Sequence, residues 1–178
     1  MADSCIGGKS SINVGSYKNL VGNFYPPKAI GIEYSFVNTL SKTALTCGFL
    51  EGVKICFAKN MDLAKQYIDV TSRWIDIGNQ KDLEAALRLS LEAKKWFIEV
   101  DEFDVAERKL LNFGHSFGHA LEAASNMKIP HGIAIGIGML TSMRYSGNVN
   151  SDLASFISRL IKWSEFKIII ENVNLDAV

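Results

Sequence analysis

The segment Asn112-Phe113-Gly114-His115-Ser116-Phe117-Gly118-His119, completed further along by Pro130-His131-Gly132, holds all three histidines of the 178-residue chain. If it is helical, Asn112, His115 and His119 fall at i, i+3 and i+7 and project from one stripe. His131 then returns from a turn after Pro130. Two imidazoles presented in this way, with one carboxylate from elsewhere, make a three-ligand set with an open position, the usual arrangement for catalytic zinc. The same residues serve equally as core histidines satisfied by hydrogen bonds. The helical metalloprotease pattern, with Glu directly after the first His, is absent.

Length and composition bound what can surround this segment. A chain of 178 residues forms one domain, or one domain plus a piece of another, and buries a real core. Its 48% hydrophobic and 21% charged residues are those of a globular protein. The 19 basic and 19 acidic residues cancel, so no electrostatic case for a nucleic acid or membrane partner follows. Cys5, Cys47 and Cys56 are odd in number and form no CxxC pair, which favours a reducing compartment over a disulfide framework. Met1-Ala2-Asp3 opens no basic and apolar leader, and Ile133 to Leu140 is far shorter than the ~20 residues that cross a bilayer. The expectation is a soluble, cytoplasmic protein.

Residues 1 to 33 are broken by Gly7, Gly8, Gly15 and Gly22, and Pro26-Pro27 precede Lys28 to Ile32, which reads as a short buried strand. Asp3-Ser-Cys-Ile-Gly-Gly-Lys9-Ser10 nearly spells a phosphate loop, but Asp3 stands where its leading glycine belongs and would repel phosphate. What remains is a flexible loop carrying Asp3, Lys9, Lys18 and Asn19, able to cradle an anion or simply to be a solvated turn. From Thr43 to Lys59 the pattern is helical and strongly apolar, with Glu51 and Lys54 as its internal charges at i, i+3. Charges in such a helix need partners, so they pair with each other, or Glu51 is the missing ligand and Lys54 a donor to substrate.

Leu63, Tyr67, Val70, Trp74 and Ile77 keep a helical period up to a stop at Gly78, and their aromatics read as core. Leu83 to Phe97 forms the next helix, with Asp82 placed to cap it and Lys94 and Lys95 closing it. Asp101 to Asp104 is an acidic loop before the histidine segment. Gly132 to Arg144 is apolar with three glycines, which implies close packing by a backbone or ligand. Ser151 to Trp163 is amphipathic, and the end, Ile168 to Val178, carries no recognisable cap.

Together these segments resemble the 3-dehydroquinate synthase family of sugar phosphate cyclases. The resemblance rests on Asp3-Ser-x-x-Gly-Gly-Lys9, Lys18-Asn-x-x-Gly22, Glu51-x-x-Lys54, Arg108-x-Leu-Leu-Asn-x-Gly-His-x-x-Gly-His119 and His131-Gly132. It implies that Glu51, His115 and His131 are ligands of zinc, or of another divalent metal such as cobalt. It makes Lys9, Lys18 and Phe36, Val37, Asn38 and Thr39 contacts of NAD, with Lys9 and Asn19 at the phosphate end of the substrate. Asp3, Lys54 and Asn112 would address substrate hydroxyls near the metal. His119 would stand at the phosphate-bearing end, and Lys94 and Arg108 would hold the substrate carboxylate.

The activity so implied is conversion of 3-deoxy-D-arabino-heptulosonate 7-phosphate to 3-dehydroquinate and phosphate, in the shikimate pathway, by a homodimer when complete. The fold implied is mainly α: a helical metal- and substrate-binding domain over residues 34–178, incomplete at its C-terminus, after a short α/β remnant of the NAD-binding domain over residues 1–33. Asp104 departs from the family's Glu, Phe49-Leu50 from its usual Leu-Ala, and Ser41 from a proline. Most of the nucleotide-binding domain, an upstream arginine and a final lysine segment have no counterpart here. The expectation is that this chain alone binds NAD poorly and turns over little. Relatives acting on sedoheptulose 7-phosphate, a zinc-binding remnant without catalysis, and the iron-containing alcohol dehydrogenases are the competing readings. The last lacks the Glu-x-x-Lys and paired Gly-His elements.

Overall fold

The computed structural model describes residues 3–15 and 17–164 and, at positions 13 and 17–19, the backbone alone. The expected features at Ile168 to Val178, and the side chains of Lys18 and Asn19, lie outside the described residues. The chain is mainly α-helical, with one two-stranded sheet among the described residues.

That sheet replaces the flexible loop expected at the start. β1 (Lys9–Val14) and β2 (Tyr17–Phe24) pair antiparallel, Lys9 opposite Phe24 and Ile12 opposite Val21, with Gly15 at positive φ in the tight connection. The strand expected at Lys28 to Ile32 does not form: this stretch is extended but unpaired, and Ile30 and Ile32 are more than two-fifths exposed. The preceding Pro26-Pro27 lacks N–H donors for a ladder. Instead of entering a sheet, Ile30 and Ile32 line a groove of about 680 Å³ with Leu91 and Ile98.

The helices are α1 (Lys42–Lys59), α2 (Met61–Ile77), α3 (Gln80–Val100), α4 (His115–Ala124), α5 (His131–Tyr145) and α6 (Ser151–Trp163). Ser41 Oγ accepts from the Ala44 N–H and starts α1. This helix is the centre of the bundle. Apolar on nearly all sides, it packs against α2, α3, α5 and α6 and buries Leu50, Val53, Ile55 and Cys56. Asn60 joins two elements at once, its N–H closing α1 on Cys56 O and its side chain capping α2 at Leu63 N. Gly78, at φ +78°, ends α2 as its place in the sequence predicts. Phe49, Trp74 and Trp163 form an aromatic cluster, with Trp74 edge-on to both of the others, so the aromatics of α2 are core.

α3 differs from expectation at both ends. Its cap is Asn79, whose side chain accepts from Lys81 N–H, so the helix starts before Asp82. Asp82 lies within the first turn and takes a hydrogen bond from Arg73 Nε. The helix then runs on to Val100, which leaves Lys94 and Lys95 inside it. Lys94 is recruited by the N-terminal loop, and Lys95 pairs with Glu99 one turn on.

The histidine segment is not one helix. Glu107–Asn112 is a 3-10 turn, and Gly114 at φ +78° breaks the path before α4 begins at His115. Asn112 therefore does not share the stripe of His115 and His119. The break is imposed by packing, since a side chain on Gly114 would meet the Met139 backbone N at 2.7 Å. α4 and α5 meet at glycines: a Cβ at Gly138 would lie 2.1 Å from Gly114 O. The close packing expected of the α5 glycines comes from backbone at Gly132 and Gly138, and from the Leu50 and Ile157 side chains at Gly136.

Candidate metal centre

Three helices supply the site. Glu51 projects from the middle of α1, and His115 and His131 are the first residues of α4 and α5. One donor atom from each lies within 4.8 Å of the other two. His131 Nε2 is 3.6 Å from Glu51 Oε1. Two ligands of a tetrahedral zinc at ~2.0–2.1 Å stand about 3.3 Å apart, so small side-chain rotations bring all three into range.

The two oxygens of Glu51 have different surroundings. Oε2 accepts from Lys54 Nζ at 2.7 Å, so the pairing expected at i, i+3 is present. Oε1 is buried with no hydrogen-bond partner and faces the imidazoles. An orphaned anionic oxygen is costly to bury, and a cation between it and the rings removes that cost. The donor set of one carboxylate and two imidazoles suits zinc.

His115 is prepared for the same role. Its Nδ1 lies 3.3 Å from Phe113 O, and donation to that carbonyl leaves Nε2 as the acceptor. Burial, reinforced by the charge of Lys54, pushes its pKa down to about 4 from 6.5, against the opposing pull of Glu51. The ring therefore stays neutral and ready to ligate well into mild acid. The sign for stability follows. Above pH 6.5 both folded and unfolded rings are neutral, whereas between 6.5 and about 4 the unfolded ring binds a proton that the folded one refuses. The metal-free chain thus loses stability across that window as pH falls, relative to His115→Gln. Urea midpoints at each pH read the difference, and parallel curves would clear His115 as its cause.

The sequence reading missed Glu122. Its side chain is only 5% exposed, and Oε1 lies 3.2 Å from His131 Nδ1. Its other oxygen is 3.9 Å from Nε2 of His119, and the His119 ring is half-exposed. A signal was available, because Glu122 stands at i+7 from His115 and i+3 from His119, on the same helical stripe.

The remaining expected residues form a second cluster around the N-terminal loop. Lys94 Nζ donates to the Asp3 carboxylate at 2.7 Å and to its carbonyl at 2.8 Å. Arg108, 3% exposed, donates to Glu102 O and Gly7 O at 2.6 and 2.9 Å. Asp101 orders this loop. Burial alone would raise its pKa, but backbone N–H groups led by those of Val105, Ala106 and Arg108 hold it below the usual carboxylate range. Asp104, at φ +62°, forms an ion pair with Lys9. Asp3, Lys9, Lys94, Asp104 and Arg108 are thus brought together. Asn112 is exposed at the end of its 3-10 turn.

Phe36, Val37, Asn38 and Thr39 belong to a 3-10 turn over Tyr34–Thr39. Phe36 is 71% exposed, and with Val37 it lines an apolar cavity of about 630 Å³ that reaches Phe49 and Tyr67. Asp3 and Glu51 both act on Tyr67: burial, with lesser contributions from Cys56 and these two carboxylates, pushes its phenol upward.

Residues 48–176 match the family described as 3-dehydroquinate synthase C-terminal, and residues 1–47 match 3-dehydroquinate synthase N-terminal. Among curated proteins, the 3-dehydroquinate synthase of Listeria monocytogenes serovar 1/2a is 38% identical over 158 residues, covering 86% of this chain and 43% of that protein. The 3-dehydroquinate synthase of Dictyoglomus thermophilum is 40% identical over 142 residues, covering 77% and 39%. The chain thus spans less than half the length of these relatives. Among solved structures, 2-epi-5-epi-valiolone synthase from Streptomyces hygroscopicus subsp. jinggangensis, with NAD+ and Zn2+ bound, superposes with a TM-score of 0.79 at 22% identity, over 99% of this chain and 50% of that one. A 2-deoxy-scyllo-inosose synthase gives 0.75 at 23% identity, again over 99% and 50%. The fold is that of these cyclases.

Proposed function

Because the chain belongs to the 3-dehydroquinate synthase family, we propose that it is the metal- and substrate-binding part of an enzyme that converts 3-deoxy-D-arabino-heptulosonate 7-phosphate to 3-dehydroquinate and phosphate. The observation that carries this reading is the convergence of Glu51, His115 and His131, with the unpartnered oxygen of Glu51 turned toward the rings. These three would hold the ion. When bound, zinc would supply a Lewis acid at a substrate hydroxyl, and NAD, held separately, a hydride acceptor for the C–H of the carbon that bears it.

The chain's own residues divide the remaining work. Lys54, buried against Glu51, keeps a positive charge beside the oxygen that becomes anionic when that hydroxyl loses its proton. Asp3 and Asn112 orient hydroxyls. Lys94 and Arg108 pair with the substrate carboxylate, which would take over the ammonium that Asp3 holds in the free chain. His119, with its half-exposed ring, stands at the phosphate end and moves a proton there, while Lys9 and Asn19 hold the phosphate. Lys9 and Lys18 from residues 1–33 and Phe36 to Thr39 from the start of residues 34–178 contact NAD, and the metal ligands all lie in residues 34–178. The complete enzyme is a cytoplasmic homodimer whose partner molecule is a sugar phosphate.

The cationic pair supports the keto acid over sedoheptulose 7-phosphate, which has no carboxylate to meet it. The test is a chimera joining this chain to the N-terminal half of the Listeria monocytogenes relative, assayed for phosphate release with zinc and NAD. The keto acid is expected to be preferred, and Arg108→Ala to erase the preference by on the order of 100-fold. Equal loss for both sugars overturns the substrate assignment. Zinc binding with no phosphate release from either leaves a zinc module without catalysis.

A further inference from the structure

We infer that Glu122 is a positioning residue of the metal centre, fixing His131 in the tautomer that turns Nε2 toward Glu51. The inference deepens the reading of Glu51, His115 and His131 as metal ligands and rests on it. His131 lies between two carboxylates on opposite ring nitrogens, Glu122 Oε1 at 3.2 Å from Nδ1 and Glu51 Oε1 at 3.6 Å from Nε2. Accepting a hydrogen bond from Nδ1–H keeps the proton there and commits the lone pair to Nε2, on the side of Glu51 and His115.

The geometry is held from behind. Glu122 is buried near the C-terminus of α4, where its own carbonyl accepts from Met127 N–H at 2.8 Å and from Ser125 Oγ at 3.0 Å. Those bonds fix the backbone from which the carboxylate reaches α5. Because α4 also carries His115, one helix supplies both a ligand and the group that orients the ligand on its neighbour. His131 itself is nearly half exposed, so packing alone does not set its ring. A carboxylate behind an imidazole also strengthens it as a donor to a cation.

The experiment is zinc titration of the full chain against a chromogenic chelator, for the wild type, Glu122→Gln and Glu122→Asp. It is paired with the His131 ring signals in 1H–15N spectra of the zinc-loaded wild type. The expected result is roughly 10- to 100-fold weaker zinc binding in Glu122→Gln, a smaller loss in Glu122→Asp, and a protected Nδ1–H signal from His131 in the wild type. Unchanged affinity in folded Glu122→Gln overturns the inference, and so does an Nε2–H tautomer in the zinc-loaded wild type. That spectrum decides the matter even if the variants fail to fold. Failure of the wild type to bind zinc is a different outcome and removes the metal reading itself.

Discussion

Replacing Glu51 by glutamine lowers the affinity of the chain for zinc by more than roughly 100-fold, beyond the loss set for an orienting group behind a ligand. The substitution keeps the shape and removes the only charged donor of the three. An amide oxygen does not bring the anion that makes the set favourable for a dication. A second effect comes from Lys54, whose side chain is 4% exposed and whose ammonium loses its counter-charge. Breaking a buried pair on one side costs about 3 kcal/mol, the lower end of the range here because the Glu51 side chain keeps 16% exposure. The two effects separate in the double variant Glu51→Gln/Lys54→Met, which should recover most of the lost stability and none of the zinc affinity. Competition titration and urea unfolding read the two quantities. A folded Glu51→Gln chain that binds zinc like the wild type would remove Glu51 from the centre and the enzymatic reading with it.

What could be read in the sequence was what local pattern decides. Ser151 to Trp163 is legible as a helix because Leu153, Phe156, Ile157 and Leu160 repeat on one face, and all four are buried. The stop at Gly78 was legible because a left-handed cap needs a residue without a Cβ. Glu51 stood out as a lone acid in an apolar helix, and the histidines as a cluster in a chain with no others. Elsewhere a tertiary partner decides. Lys28 to Ile32 has the composition of a strand but no neighbour to pair with. The β1–β2 hairpin was hidden among glycines, and its Ile12 and Val21 remain exposed, so no buried face announced it. Asn112 left the helical stripe because Gly114 must turn under Met139, and Glu122 mattered only once α5 brought His131 back against α4.

The same glycine-to-alanine change should have opposite signs at two helical positions. At Gly138 of α5 a new methyl would stand 2.1 Å from Gly114 O and 2.8 Å from Gly118 N. Both are backbone atoms of the neighbouring segment, so no rotamer can give way and the helices must part. Overpacking of this kind costs about 3 kcal/mol, or a fall in Tm of about 6–12 °C for a chain of this size. At Gly48 of α1 nothing lies within 4 Å of the added methyl and the backbone is already helical. Alanine there gains about 0.5–1 kcal/mol by restricting the unfolded chain and favouring the helix. Gly138→Ala should also weaken zinc binding, because separating α4 from α5 moves His115 away from His131, whereas Gly48→Ala should leave it unchanged. Thermal unfolding of the two variants beside the wild type checks the signs. A Gly138→Ala chain as stable as the wild type would mean that α4 and α5 do not touch backbone to backbone, and that this contact does not set the spacing of the two imidazoles.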